Sequence, residues 1–140
     1  PETVKTCLGA CDILKLSHEE LIEITGIDPF APSLEGRMKG FMADHGIGLV
    51  ILTMGSKGSQ WFAADKTHKI VPDTFFEPLD TVGAGDAYAA VSAAGLALGL
   101  PMEQIMEFAH KFASIICGIR GALPADLNLY KDFVNKMGIT

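Results

Sequence analysis

Gly48–Thr53 is a continuous apolar run that ends in a glycine-bounded turn, Met54–Ser59. A strand without polar alternation is buried on both faces, so helices or more sheet must cover it from either side. Candidate helices do flank it. Ser17 stands three residues before Glu20, a capping-box spacing, and opens a helix that runs to about Thr25 and stops at Gly26. Glu35–Asp44 reads as a second helix, with Met38, Phe41 and Met42 on one face and Gly46 as its stop. Strands alternating with helices give an α/β class with a largely parallel sheet.

The remaining elements follow from punctuation. Ile13–Leu16 reads as a short buried strand, while Glu2–Ala10 is too short to classify beyond a helix end at Gly9. Gln60–Ala64 and Thr67–Val71 read as a hairpin joined at Asp65 and Lys66. Pro72–Pro78 reads as an irregular connection. Asp80–Asp86 leads into an Ala-rich helix that ends near Gly99. Pro101 fits the first turn of a helix running from Met102 to about Cys117. A last helix starts after Asp126 and ends at Gly138. Only about two central parallel strands and a hairpin emerge, so the chain looks like part of a larger sheet.

Composition excludes several roles. The chain has 140 residues, 49% hydrophobic and 20% charged, which suits one packed domain. Its net charge of -6 argues against nonspecific nucleic-acid binding and against docking on an anionic membrane. The longest apolar stretch, about Tyr88–Leu100, is shorter than the roughly 20 residues of a bilayer span. No signal peptide is expected at the front, and Pro1 in place of Met points to a processed product or a fragment. Cys7, Cys11 and Cys117 read as free thiols of a reducing, cytoplasmic compartment.

Asp80–Asp86 carries the chemistry. Gly83, Ala84 and Gly85 allow a tight backbone path just before a helix, whose first-turn amides and macrodipole attract anionic oxygen. A carboxylate there, at Asp86, repels phosphate and is a poor choice for simple binding. It suits a base that takes a proton from a hydroxyl attacking phosphorus. The plainer alternative is a favourable helix acid after an ordinary glycine turn.

The pattern Asp80–Asp86 resembles the C-terminal signature of the PfkB carbohydrate kinases, the ribokinase-like superfamily. Asp12–Leu21 resembles the family's strand-then-helix segment, Thr53–Gly58 its nucleotide-contacting turn, and Arg120, Gly121 and Ala122 followed by Pro124 its late loop. All four occur in family order. The wording Leu14–Leu21 and Thr53–Ser59 is most similar to fructokinases.

The resemblance implies a ribokinase-like three-layer α/β/α fold. Residues 1–140 would form its C-terminal nucleotide-binding and catalytic part, with a partly parallel central sheet and a β-hairpin and without the N-terminal half. It implies ATP-dependent phosphorylation of a sugar hydroxyl, with Asp86 as general base and the amides of Gly83, Ala84 and Gly85 as anion hole. Thr53, Gly55 and Gly58 would hold the nucleotide, together with Gly85 and with His110, which aligns with a purine-contacting position. Ser17 stands where the family usually has Asn, and Glu20 would reach Mg2+ through water; capping the helix is an equal alternative for both. Asp80, Val82, Ile116, Ile119, Gly121 and Ala125 match positions that coordinate K+ in some relatives, chiefly through backbone carbonyls.

Lys57 is not a P-loop lysine, because the spacing around it is wrong; it reads as a solvated turn residue. His18, His45 and His68 are assigned no chemistry, and Phe75 and Phe76 read as packing. Partners would be ATP and a small sugar, with fructose first and ribose or 2-keto-3-deoxygluconate next. The missing half would supply the sugar pocket and cover exposed sheet edges, so the isolated chain is expected to be weakly active or inactive, and a homodimer is compatible. A nucleoside kinase and a catalytically silent nucleotide-binding module remain alternatives.

Overall fold

A computed structural model describes residues 2–71, 79–121 and 128–138. The connection at 72–78 with Phe75 and Phe76, the late-loop residues Ala122 and Pro124, and the cation candidate Ala125 lie outside the described residues. The chain divides into two units, Pro1–Pro72 and Asp73–Thr140.

The first unit contains helix α1 (Glu2–Leu8), strand β1 (Ile13–Ser17), helices α2 (His18–Thr25) and α3 (Leu34–His45), and strands β2 (Leu49–Thr53), β3 (Ser59–Phe62) and β4 (Thr67–Ile70). The four strands form one sheet in sequence order. β1 runs parallel to β2, whereas β2–β3 and β3–β4 are antiparallel. The sheet is therefore only partly parallel, not largely so. The cause is loop length: a 3₁₀ turn at Gly55–Lys57 joins β2 to β3, and a short connection can only return the chain antiparallel.

β2 is the strand expected to be covered on both faces, and Val50, Ile51 and Leu52 are all buried. Each such side chain contributes about 1.5–3 kcal/mol. One face of the sheet places Leu16, Val50, Leu52 and Phe62 in a core with Leu21, Leu34, Met38 and Met42 of α2 and α3. Phe41 is only half-buried at the margin of that core. β1 departs from the expectation of a buried strand. Only Leu16 is buried, and Ile13 is 48% exposed, because β1 pairs with β2 alone and forms an edge of the described sheet.

Helix ends follow local chemistry. Gly26 and Gly46 adopt left-handed conformations at φ 68° and 72° and donate to the carbonyls of Ile22 and Met42. Such positions favour glycine because a Cβ is strained there. The short first helix does stop at Gly9, whose amide reaches the Lys5 carbonyl.

The second unit contains α4 (Ala84–Ala97), α5 (Met102–Cys117) and α6 (Asn128–Lys136). Pro101 caps α5 with extended ψ of 141° rather than sitting inside the first turn. α5 presents Ile105, Met106, Ala109, Phe112 and Ile116 as its buried stripe. Small residues let α4 come close. A Cβ built on Gly95 would stand 2.6 Å from Ile105 Cγ1, inside van der Waals contact. Phe133 of α6 stacks against Phe112, with ring centroids 4.5 Å apart.

Candidate functional site

Two groups of residues, one in each unit, hold the positions singled out by sequence. In the first unit they gather at the carboxyl ends of β1 and β2, the end at which open α/β sheets receive ligands. The parallel register pairs Ser17 with Thr53, although 35 residues separate them in sequence. The Thr53 hydroxyl donates to the Leu16 carbonyl at 3.3 Å, which ties the two strand ends together.

Ser17 and Glu20 form a complete capping box. Ser17 Oγ accepts the Glu20 amide at 3.2 Å, and the Ser17 amide donates to Glu20 Oε2 at 2.7 Å. Capping is thus a role that both residues perform. Glu20 is an exposed residue and its second carboxylate oxygen stays outside the box, which suits an outer contact to a hydrated Mg2+. Among the described residues, no group of three His, Cys, Asp or Glu side chains could hold a metal ion.

The turn after β2 is built on two glycines. Gly55 has φ 57° and Gly58 φ 94°. The Met54 amide donates to the Gly58 carbonyl at 2.8 Å and the Gly58 amide to Gly55 at 3.0 Å, closing a compact loop. Lys57 is not merely solvated: its Nζ lies 3.9 Å from the centroid of the Phe30 ring. The sequence reading of Lys57 as a solvated turn residue did not include Phe30. The signal available was a cation in the turn just behind β2 and an aromatic residue in the loop between α2 and α3.

In the second unit Gly83 adopts φ 83° and caps α4 without a side-chain bond. The Ala84 amide turns back to the Thr81 carbonyl at 3.3 Å, and the Ala87 amide to Gly83 at 2.9 Å. The amides of Gly83, Gly85 and Asp86 have no acceptor among the described residues. Of the three amides expected to meet an anion, those of Gly83 and Gly85 are thus open among the described residues, whereas that of Ala84 is engaged by Thr81. The Asp86 side chain is exposed in the first turn of α4 and has no ion pair or hydrogen bond among the described residues. A free carboxylate beside free amides suits a base next to an oxyanion.

Asp80 organises this approach. Its Oδ1 accepts the Val82 amide and its Oδ2 the Gly121 amide, both at 3.0 Å. These amide bonds hold its carboxyl below the ordinary 3.8. The amides of Leu79 and Asp80 both donate to the Cys117 carbonyl, at 2.9 and 3.2 Å. Burial, with Asp80 nearby, pushes the Cys117 thiol up, so it is no reactive thiolate. The cation candidates Asp80, Val82 and Gly121 are thereby brought together. Ile116 is buried, and its carbonyl accepts the Ile119 amide at 3.2 Å. The Asp80–Gly121 bond escaped sequence reading because it spans 41 positions.

His110 is half-buried on α5 and meets the Tyr88 ring edge-on at 5.3 Å. Burial holds its pKa below the ordinary 6.5. The unfolded chain then takes up a proton more readily, so this contribution to stability is full above pH 6.5 and lost as pH falls below it. The melting temperature is expected to drop between pH 7.5 and 5.5, and to drop less in His110→Leu. Parallel pH slopes for the two proteins would count against this assignment.

The pfkB family carbohydrate kinase description matches residues 1–127. The ribokinase of Arabidopsis thaliana is 30% identical over 123 residues, which are 84% of this chain and 31% of that protein. The structure of Arabidopsis thaliana ribokinase complexed with ribose and ATP superposes with a TM-score of 0.78 at 24% identity, covering 97% of this chain and 44% of the other. A double-mutant fructokinase of Vibrio cholerae O395, bound to fructose, ADP and a potassium ion, gives a TM-score of 0.72 at 26% identity over 94% of this chain and 43% of that one. The chain therefore spans about a third of the curated ribokinase and less than half of each solved chain. Among the described residues no helix is long and apolar enough to cross a membrane.

Proposed function

Since this chain belongs to the pfkB family of carbohydrate kinases, with a ribokinase-like α/β fold, we propose that it is the nucleotide-binding and catalytic part of an ATP-dependent sugar kinase. The observation that carries this reading is the Asp86 carboxylate, unpaired among the described residues and placed in the same helical turn as the amides of Gly85 and Asp86, which have no acceptor among those residues. Asp86 takes the proton of the attacking sugar hydroxyl. The free amides of Gly83 and Gly85, with that of Asp86, face the charge that develops on the transferred phosphoryl group. Gly83 must be glycine for this, because at φ 83° a side chain is strained and the turn would open.

Thr53, Gly55 and Gly58 are assigned to the nucleotide, with Ser17 beside Thr53. His110 is assigned to the purine, where its neutral form suits a hydrogen bond rather than a charge. ATP supplies the phosphoryl group and carries Mg2+, with Glu20 as an outer contact. Asp80 keeps the approach to α4 fixed through Val82. K+ would be held by backbone carbonyls around Asp80, Val82, Ile116, Ile119 and Gly121, where the Asp80 carboxylate fixes the Val82 and Gly121 amides.

The acceptor is a sugar hydroxyl. Fructose and ribose are the first candidates, supported by the relatives named for them and by those solved with them. Incubating the protein that contains this chain with ATP, Mg2+ and each sugar tests the reading. Sugar-dependent ADP release is expected with at least one of them, and more strongly with K+ present. ADP release that no sugar stimulates would count against a sugar kinase.

A further inference from the structure

We propose, on the nucleotide reading above, that Lys57 contacts the polyphosphate of the bound nucleotide and that Phe30 positions it. Lys57 lies between Gly55 and Gly58, the two glycines of the nucleotide turn. Its ammonium sits 3.9 Å from the Phe30 ring centroid and makes no ion pair among the described residues. Its charge is therefore not neutralised, and the N–H groups turned away from the ring stay open. The chain carries a net charge of -6, and carboxylates stand around this pair: Asp28 on the Phe30 amide, Glu19 beside His18 and Glu20 on the Ser17 amide. A polyanion arriving there needs a cation to offset those carboxylates.

Phe30 is 49% exposed, yet it is not loosely placed. Its amide donates to Asp28 Oδ1 at 2.9 Å, which fixes the loop. The His18 ring meets it edge-on at 5.9 Å, and His18 Nδ1 lies 3.0 Å from Glu19 Oε2. Phe30 is thus anchored to the start of α2, one residue beyond Ser17. A free lysine side chain loses rotamer freedom when it is held in one place. Stacking on Phe30 restricts it beforehand, so less is lost when phosphate oxygens arrive.

The test measures the affinities of inorganic tripolyphosphate and of adenosine separately, by calorimetry, on the full chain and on variants that keep its melting temperature. Lys57→Met is expected to weaken tripolyphosphate binding about three- to tenfold, the scale of one charge-assisted contact, and to leave adenosine unchanged. Phe30→Leu should weaken tripolyphosphate to a similar degree, Phe30→Tyr should restore it, and the double variant Lys57→Met with Phe30→Leu should be no worse than Lys57→Met alone. Unchanged tripolyphosphate affinity in Lys57→Met overturns the proposal, while intact adenosine binding would leave the nucleotide reading standing. An effect of Lys57→Met without one of Phe30→Leu overturns the positioning role. Loss on Lys57→Met in a chain that ignores adenosine upholds the phosphate contact and counts against the nucleotide. A wild-type chain that binds neither compound overturns both.

Discussion

Asp86→Asn, made in the protein that contains this chain, is expected to lose about 10²–10⁴-fold in kcat while ATP still binds. The substitution is nearly isosteric, and the native side chain is exposed and unpaired among the described residues, so little structure is at stake. The lost helix-dipole interaction is worth only about 0.3–1 kcal/mol. What disappears is the ability to accept a proton from the sugar hydroxyl. Removing a negative charge next to phosphate should, if anything, tighten ATP. Steady-state kinetics with a parallel ATP titration separates the two effects. A kcat near that of the wild type would remove Asp86 from the chemistry, and equal losses in ATP affinity and kcat would point to a damaged helix start instead.

Gly58→Ala should be the most damaging conservative change in the first unit. A Cβ there would overlap the Ile70 carbonyl oxygen and stand 3.0 Å from Val71 Cα, and both of these are backbone that cannot swing aside. The backbone itself lies at φ 94° and ψ -151°, a region essentially restricted to glycine. Strain and overlap together cost about 3 kcal/mol or more. That corresponds to a fall in melting temperature on the order of 10 °C. Gly55→Ala is the control: its φ is 57° and its Cβ would meet nothing within 4 Å. It should cost about 1–2 kcal/mol. Coinciding melts for the two variants would show that β4 does not press on the turn as described.

Much of this was legible in the chain. The capping box at Ser17 and Glu20, the doubly covered β2, the stops at Gly26 and Gly46 and the span of α5 all depend on residues a few positions apart, where spacing alone decides. The glycine turn that opens α4 with Asp86 in its first turn was legible for the same reason. What escaped depends on distance in sequence. The exposure of β1 follows from which strands lie beside it, and no local pattern reports that. The turn of the Ala84 amide toward Thr81 follows from the conformation of Gly83 rather than from residue identity. The bond from Asp80 to Gly121 and the seat of Lys57 on Phe30 join segments that only folding brings together.

The close passage of Gly95 beneath Ile105 has a consequence for descent. Neither position can change freely by itself, because one supplies the room that the other fills. A lineage that acquires alanine or serine at 95 would be held back until 105 shrinks, and a smaller residue at 105 would leave a void that rewards growth at 95. Across many descendants the two sites would therefore drift as a pair, bulk on one helix traded against bulk on the next.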